Sequence, residues 1–281
     1  MSGQIADQAS RFSERVQRLL ERVEHRVAKT AAEKEAVYRL RYEAYFRNSL
    51  IESVDNAQLY DRKYDEAPNT WITTTFIDGE LAATTRMTVG ADDDAILPSR
   101  AVFSDIIGPQ LKAGRVIVDF TRAAARLEAS RQHSELPYVA LRPGYMALEH
   151  FDADLGIATV RAEHAAFYRR VFNFSLMCEP RDYPGVTPKI ACLGMDFRAV
   201  QDRIEARYPF FRSSAAEREA LFGPSLALEL RRLRSTRLNG VETLSDAGSA
   251  QPPSKSIKRE AAAPLHRRDR PHQGLIASIS I

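Results

Sequence analysis

RVIVDFTR, residues 115–122, is the stretch that decides the fold. Its β-branched and aromatic residues predict a buried strand over 115–121, and two charged residues, Asp119 and Arg122, stand near its end. A charge at the end of a buried strand costs free energy unless it is paired. Asp119 therefore either forms a structural ion pair, with Arg86 or Arg122, or lines a polar pocket at the strand ends, where open sheets commonly place ligands.

The segments around this strand alternate between strand and helix patterns. Residues 71–77 (WITTTFI) and 80–89 (ELAATTRMTV) flank the turn dipeptide Asp78-Gly79, which predicts a β-hairpin. Later segments predict a helical run through about 131, a helix near 138–151, a strand over 157–161, a helix over 163–172, and strands near 175–179 and 189–197. This order predicts an α/β fold with a mixed central sheet flanked by helices.

Two amphipathic helices are predicted ahead of the hairpin. The first covers 11–29 and the second 32–47. The first is a packing arm or, as the alternative, a membrane-surface or partner helix. The apolar stripe of the first helix consists of Phe12, Val16, Leu19, Leu20, Val23 and Val27. We divide the chain into an N-terminal helix (1–31), one globular domain (32–235) and a basic tail (236–281) expected to be disordered.

The composition is that of a soluble globular protein. The chain has 281 residues, of which 44% are hydrophobic and 27% charged, and only two cysteines, which excludes collagen-like, wholly disordered and disulfide-scaffold proteins. No apolar stretch approaches the roughly 18–20 residues of a membrane span, and the N-terminus lacks a secretion signal. We expect a cytoplasmic protein.

The positive charge is concentrated at the C-terminal end. From Arg231 onward there are ten Lys or Arg against four Asp or Glu, whereas the net charge of the whole chain is +3. A basic tail suits nucleic acid or anionic lipid. We expect no stable nucleic-acid partner, and a peripheral membrane contact stays open.

Familiar catalytic motifs are missing from the sequence. It contains no Gly-x-Ser-x-Gly elbow, no phosphate loop, no His-Glu-x-x-His and no Cys-x-x-Cys. We therefore predict no metal site, and the candidates that remain are charged residues in or beside apolar strands.

Four segments carry a resemblance to a known family. LRYEAYF (40–46), the run from Tyr60 to Val89, VIVDFTR (116–122) and EHAAFYRRVFNF (163–174) resemble the bacterial N-acyl amino acid synthases and the acyl-homoserine-lactone autoinducer synthases, both of the GNAT superfamily. The resemblance covers about residues 35–198. It implies a GNAT-like acyl-CoA N-acyltransferase fold with splayed parallel central strands.

The resemblance also implies the residues of a site. Its shared positions fall on Arg41 and Phe46, on Asp61 and Asp65, on Arg86, and on Asp119 with Arg122. In an acyl transfer to an amine, Asp119 would orient or deprotonate the amine, directly or through water. Arg41, Arg86 and Arg122 would clamp an acceptor carboxylate, because guanidinium groups bind carboxylates bidentately.

The remaining implied roles concern the thioester. In a GNAT-like sheet a pantetheine arm enters between two splayed parallel strands, here 116–121 and 157–161. Backbone N–H groups from Phe120 to Ala123 would then stabilise the oxyanion. Tyr168 would protonate the departing thiolate, although a helix Tyr packed in the core is an equal alternative. Asp61 and Asp65 would tie the entrance to the arginines, or else serve as capping or surface acids.

The sequence departs from the ordinary GNAT pattern after the central strand. The usual glycine-containing turn that holds the CoA pyrophosphate is replaced by TRAAARLEAS (121–130), which has no glycine. Acyl carrier protein presents the same pantetheine thioester with one phosphodiester. We therefore expect acyl carrier protein as the donor and no other cofactor. Its acidic surface would dock on basic residues near the thioester mouth, namely Arg126, Arg131, Arg161, Arg169 and Arg170.

A second departure concerns the acceptor. Autoinducer synthases carry a Trp shortly after the Arg/Phe helix, whereas this chain reads RNSLIES (47–53) and has its one Trp at Trp71. This favours an amino acid or similar small amine as acceptor. Two alternatives stay open: an acyl-homoserine-lactone synthase using S-adenosylmethionine, and a catalytically silent acyl-binding module.

Overall fold

The computed structural model describes residues 2–223. Helices over this range are α1 (Ser2–Leu20), α2 (Ala31–Arg47), α3 (Arg62–Asp65), α4 (Arg100–Lys112), α5 (Leu127–Gln132), α6 (Leu136–His150), α7 (Ala165–Phe172), α8 (Phe197–Arg207) and α9 (Ala215–Phe222). Strands over the same range are β1 (Val23–Val27), β2 (Thr70–Ile77), β3 (Glu80–Gly90), β4 (Ile117–Ala125), β5 (Leu155–Arg161), β6 (Ser175–Leu176), β7 (Arg181–Tyr183) and β8 (Val186–Asp196). Two short 3-10 turns precede α7 and α9.

All eight strands belong to one mixed sheet in the order β1-β2-β3-β4-β5-β8-β6, with β7 also paired to β8. β4 and β5 run parallel, and the other described pairs are antiparallel. The predicted hairpin is β2–β3. Its turn residues Asp78 and Gly79 both have positive φ, 50° and 83°, as a tight two-residue hairpin turn requires.

Helices cover both faces of the sheet. On one face, which we call the α2 face, α2 contributes Tyr45 and α4 contributes Phe103 to small apolar clusters against β4 and β5. On the other, the α6 face, α6 packs with α1, α7, α8 and α9 in the largest apolar cluster. The molecule therefore has three layers, with the sheet in the middle.

The predicted first helix is wrong beyond Leu20. The helix ends there, and Val23–Val27 forms β1, which pairs with β2 from Val23 opposite Ile77 to Val27 opposite Thr73. Residues four apart face the same way in a strand as well as in a helix, so the Val23 and Val27 spacing fits both. Residues 23–27 form a strand because the backbone groups at the edge of β2 offer them hydrogen-bond partners.

Helices α4, α8 and α9 are not predicted from the sequence. The pattern of α4 is obscured by Gly108 and Pro109, which both have poor helix propensity. The predicted basic tail lies outside the described residues, and the domain boundaries at 31 and 235 stay predictions. No helix within residues 2–223 has the length and apolar character needed to cross a membrane.

Candidate functional site

The two parallel central strands separate halfway along their length. β4 and β5 pair from Ile117 opposite Leu155 to Phe120 opposite Ala158. Beyond that point each strand continues along its other neighbour, β4 beside β3 and β5 beside β8 to Arg161. The sheet is therefore open between the carboxyl-terminal halves of β4 and β5, and its backbone groups there are free of a ladder between the two strands.

A bulge in β4 lies at the mouth of this opening. The register with β3 shifts between Thr84 and Arg86, and Arg122 has a φ of 55°. A bulge places two consecutive side chains on one face. Thr121 accepts a hydrogen bond from Arg86 Nε at 3.0 Å, and the Arg122 guanidinium lies 5.7 Å from the ring centroid of Tyr45, so both face α2.

Three of the predicted residues form a buried ionic cluster on the α2 face. Asp65 Oδ1 accepts hydrogen bonds from Nη1 of Arg41 at 2.9 Å and from Nη1 of Arg86 at 3.1 Å. None of the three side chains is more than 2% exposed. Burial alone would raise the pKa of Asp65, but the two guanidiniums and the backbone N–H of Asp61 hold it below its ordinary value.

This cluster carries more positive than negative charge. Two arginines share the single carboxylate of Asp65, which leaves one uncompensated positive charge in a buried position. Nε and Nη2 of Arg41 are buried and find no acceptor among the described residues. An unsatisfied buried donor costs about 1–3 kcal/mol and more when it is charged. The cluster therefore has the charge and the free donors to bind an anion.

Asp119 lies on the same face but is not part of an ion pair. Its Oδ2 accepts the backbone N–H of Ser99 at 2.8 Å, and its Oδ1 has no partner among the described residues. The side chain is fully buried, and burial raises the pKa of Asp119 to about 6, against the lowering effects of Ser99 and Arg86. Because Arg86 is bonded to Asp65, the ion pair weighed for Asp119 is not what the structure contains.

Two predicted acceptor-site residues lie outside the cluster. Phe46 is 48% exposed and stacks on Tyr42 on the outer surface of α2. Asp61 precedes α3 and is partly exposed; it contributes its backbone N–H to Asp65, while its side chain makes no capping hydrogen bond. Asp61 and Asp65 stand at opposite ends of α3, which is a single turn. Asp65 therefore lies inside the cluster, and Asp61 lies at its rim.

On the α6 face, the opening is lined by apolar and aromatic side chains. Tyr168 is 3% exposed, and burial raises its pKa above the ordinary value, as does the neighbouring Tyr45. The cavity is narrow, about 20 Å³, which is room for roughly one water molecule. Its lining residues are Phe120, Leu141, Gly144, Tyr145, Leu148, Tyr168, Phe172, Phe174 and Met195.

Gly144 is needed where the cavity is tightest. A Cβ at this position would lie 2.9 Å from Cε1 of Phe120. The Phe120 ring therefore sits directly against the α6 backbone, and its other edge faces Gly156 of β5. Phe120 thus fills the space between the central strand and the helix.

Two of the predicted basic residues, Arg126 and Arg161, stand at the end of the sheet where β4 and β5 separate, and the other three lie in the last turns of α5 and α7. Arg126 follows β4 and donates through Nε to Leu81 O at 3.0 Å. Arg161 ends β5, half-buried, and pairs with Glu163. Arg169 and Arg170 are exposed in the last turn of α7, and Arg131 is exposed at the end of α5.

Three residues near the buried cluster escaped sequence reasoning. Tyr45 lies beneath Arg122, and burial raises its pKa to about 12. Ser99 binds Asp119, and Tyr183 donates to the carbonyl of Pro98 at 3.0 Å. Tyr45 follows Arg41 by four residues, and this helical spacing is the one signal that could have found it.

Comparison with known proteins gives one family and several similar solved structures. The family model of N-acyl amino acid synthase FeeM matches residues 36–196. The solved structure of FeeM, an N-acyl amino acid synthase from uncultured soil microbes, has a TM-score of 0.56 at 12% identity, covering 67% of this chain and 98% of that one. No curated protein matches the chain in sequence.

Two further solved structures are similar to this chain at lower TM-scores. The AHL synthase LasI has a TM-score of 0.47 at 12% identity, covering 61% of this chain and 88% of that one. An acyl-CoA N-acyltransferase from Pseudomonas aeruginosa has a TM-score of 0.40 at 17% identity, covering 62% of this chain and 97% of that one.

Proposed function

From the membership of this chain in the FeeM N-acyl amino acid synthase family, we propose that it transfers a fatty acyl group from acyl carrier protein to the amine of an amino acid or a similar small amine. The predicted GNAT-like fold and the predicted acyltransferase activity are both confirmed. One observation carries the finer proposal: an unsatisfied buried guanidinium and an open carboxylate oxygen lie on one side of the diverging strands, and an apolar cavity lies on the other.

The surplus charge of the ionic cluster supports an acceptor that bears a carboxylate. Arg41 offers Nε and Nη2, and Arg122 stands half-buried nearby above Tyr45. Asp119 offers Oδ1 on the same face, suited to an ammonium or amine N–H. An amino acid carries both groups on one carbon, so it would satisfy both sets of orphaned atoms.

The chemistry follows from these positions. Asp119, directly or through one water, accepts a proton from the ammonium, and the neutral nitrogen attacks the thioester carbonyl carbon. The carbonyl oxygen becomes an oxyanion, stabilised by backbone N–H groups between Phe120 and Ala123, where the bulge interrupts the ladder. The C–S bond then breaks, and the second proton of the nitrogen passes to the departing pantetheine sulfur, which leaves as a thiol. Asp119 afterwards returns its proton to water.

Tyr168 has a limited part in this scheme. Because burial raises its pKa above that of a thiol, its phenol stays protonated at neutral pH. The neutral phenol would donate a hydrogen bond to the departing sulfur.

The apolar cavity would receive the acyl chain. Its volume of about 20 Å³ is too small for a fatty chain as it stands. Phe120 and the aromatic side chains of α7 would have to move, and the cavity is closed at one side by the Phe120–Gly144 contact.

The backbone after β4 supports a carrier-protein donor rather than CoA. The N–H of Arg126 is bonded to Ala82 O at 2.8 Å, and its Nε to Leu81 O, so neither is available for a pyrophosphate. Between the bulge at Arg122 and Arg126, the chain continues as strand β4 to Ala125. A carrier protein needs no pyrophosphate cradle, and its acidic surface suits the exposed arginines of α7.

The test is acyl transfer with defined donors. The purified full-length chain is mixed with acyl carrier protein charged with acyl groups of several lengths and with a panel of amino acids, and thiol release and N-acyl product are followed by a thiol reagent and mass spectrometry. Product with charged carrier and none with acyl-CoA supports the proposal. Product from acyl-CoA alone contradicts the donor, and release of methylthioadenosine from S-adenosylmethionine contradicts the acceptor.

A variant separates catalysis from binding. Asp119→Asn keeps the size of the side chain and an acceptor for Ser99 but removes the base. It should bind charged carrier as the wild type does while losing turnover. Binding without turnover in the wild type as well would instead identify a silent acyl-binding module.

A further inference from the structure

We propose that Tyr183 is a positioning residue that holds the carboxylate of Asp119 in place through the peptide unit between Pro98 and Ser99. This inference rests on the proposed function, in which Asp119 takes the proton of the amine. Tyr183 lies on β7, in a Pro- and Gly-containing segment that shows no catalytic signal in the sequence.

The two hydrogen bonds belong to opposite ends of one peptide group. The Tyr183 hydroxyl donates to the carbonyl oxygen of Pro98 at 3.0 Å. The N–H of Ser99, on the other side of the same C–N bond, donates to Oδ2 of Asp119 at 2.8 Å. A trans peptide is planar, and its C=O and N–H point in opposite directions. Fixing the oxygen therefore fixes the direction in which the N–H points.

The hydrogen bonds that orient Asp119 come from Ser99. Its Oδ1 has no partner among the described residues, and Arg86 is bonded to Asp65. The carboxylate is fully buried. A hydrogen bond to the carbonyl of a peptide also polarises that peptide, which makes its N–H a stronger donor.

The Pro98 carbonyl oxygen accepts two hydrogen bonds, one from the Tyr183 hydroxyl at 3.0 Å and one from the backbone N–H of Ala101 at 3.2 Å. Ser99 stands before α4 but its side chain makes no capping hydrogen bond, and α4 has a non-helical residue, Phe103, in its first turns. The shorter bond, from β7, therefore adds a restraint to a helix start that is irregular. β7 also contacts α4 itself, where Arg181 pairs with Asp105.

The second contact provides a matched control. Arg181 and Asp105 join β7 to α4, close to where Tyr183 meets Pro98, but their pair is more exposed and does not include the peptide bound to Asp119. Tyr183→Phe removes the hydroxyl alone, and Asp105→Asn removes the ion pair alone. A merely structural role for β7 would give the two variants the same phenotype.

The groups around Asp119 determine the sign of the effect. Arg86 on β3 lowers its pKa, whereas Tyr183 on β7 and Cys192 on β8 are held neutral by burial, which raises the pKa of each. A hydrogen bond donated to a carboxylate favours its charged form. Weakening the Ser99 bond should therefore raise the pKa of Asp119 and move the acidic limb of the pH–rate profile to higher pH.

Two measurements test the proposal. The first is the pH dependence of kcat/KM for acyl transfer in the wild type, Tyr183→Phe and Asp105→Asn. The second, independent of activity, is the ¹³C NMR titration of the Asp119 carboxyl, assigned with Asp119→Asn. We expect Tyr183→Phe to lower kcat about tenfold, the loss of roughly one hydrogen bond, and to move both curves upward by about half a pH unit or more. Asp105→Asn should leave both unchanged.

The outcomes separate this inference from the proposed function. A titration of Asp119 that is the same in the wild type and Tyr183→Phe overturns the positioning role, whatever the activity. Equal shifts in Tyr183→Phe and Asp105→Asn overturn it too, because they show general docking of β7. A wild type without acyl transfer but with the expected NMR shift overturns the proposed function and keeps the coupling between Tyr183 and Asp119.

Discussion

Arg41 donates through Nη1 to Oδ1 of Asp65 at 2.9 Å, and the two side chains are 0% and 1% exposed. The same oxygen also accepts from Arg86 at 3.1 Å. A buried ion pair of this kind contributes little net stability, since desolvation of the charges offsets their attraction. The charge that this cluster leaves over is positive, which supports the proposed acceptor with a carboxylate.

Although the intact cluster adds little net stability, removing its shared acid should destabilise the fold strongly. Asp65→Asn leaves two buried guanidiniums without a counterion, and we expect a loss of about 3–5 kcal/mol in the free energy of unfolding. Urea denaturation measures it. The matched control is Glu66→Gln, next in the chain, whose exposed pair with Arg62 should contribute far less to stability. Equal losses in the two variants would contradict the burial argument.

Asp119 should give the reaction a dependence on pH in the neutral range. Its pKa of about 6 means that the base form is lost as pH falls through that value. We expect kcat/KM to fall on acidification below about pH 6, and Asp119→Asn to lower kcat about 10²–10⁴-fold. Asp94→Asn, an exposed acid, is the control. A pH profile that stays flat between pH 5 and 8 would count against Asp119 as the base.

The same carboxylate should also make the wild type less stable as pH rises. Because its folded pKa lies above its ordinary value of 3.8, folding favours the protonated form, and this stabilisation is lost between about pH 4 and pH 6. Asp119→Asn should remove this part of the pH dependence, on the order of 2–3 kcal/mol. Denaturation at pH 4 and pH 7 tests it; identical differences between the two pH values in both proteins would contradict the prediction.

The contact between Gly144 and Phe120 should set how long an acyl chain the enzyme accepts. Gly144→Ala would place a methyl group 2.9 Å from the present position of the ring, so the ring must shift and the methyl group takes up space in the cavity. Shorter chains should therefore be preferred. Competition among charged carriers of different chain length, read by mass spectrometry, measures the shift. Gly108→Ala in α4, where no atom lies within 4 Å of the added Cβ, is the control and should keep the wild-type preference.

Charge reversal on α7 should impair docking of the carrier. Arg169→Glu with Arg170→Glu is expected to raise KM for charged carrier roughly tenfold and to make it less sensitive to salt, with the fold retained. Arg39→Glu, on the exposed side of α2, should not do so. Unchanged kinetics in the double variant would remove α7 from the docking surface.

Much of the fold was predictable because it is written in short-range patterns. The hairpin turn at Asp78-Gly79 and the β-branched run of β4 each act within a few residues. The failure at β1 has the same origin, since the pattern of Val23 and Val27 fits two structures and only the open edge of β2 chooses between them.

Of the candidate site, the sequence by itself determined which charged residues the apolar strands carry, and therefore that Asp119, Arg86 and Arg122 need an explanation. Only the tertiary structure decided their partners. It joined Arg41 to Asp65 across 24 residues and Tyr183 to Pro98 across 85, and it left Asp119 with Ser99 rather than with an arginine. The physical reason is that hydrogen bonding and desolvation depend on which atoms packing brings within about 3 Å, and a linear pattern does not contain those distances.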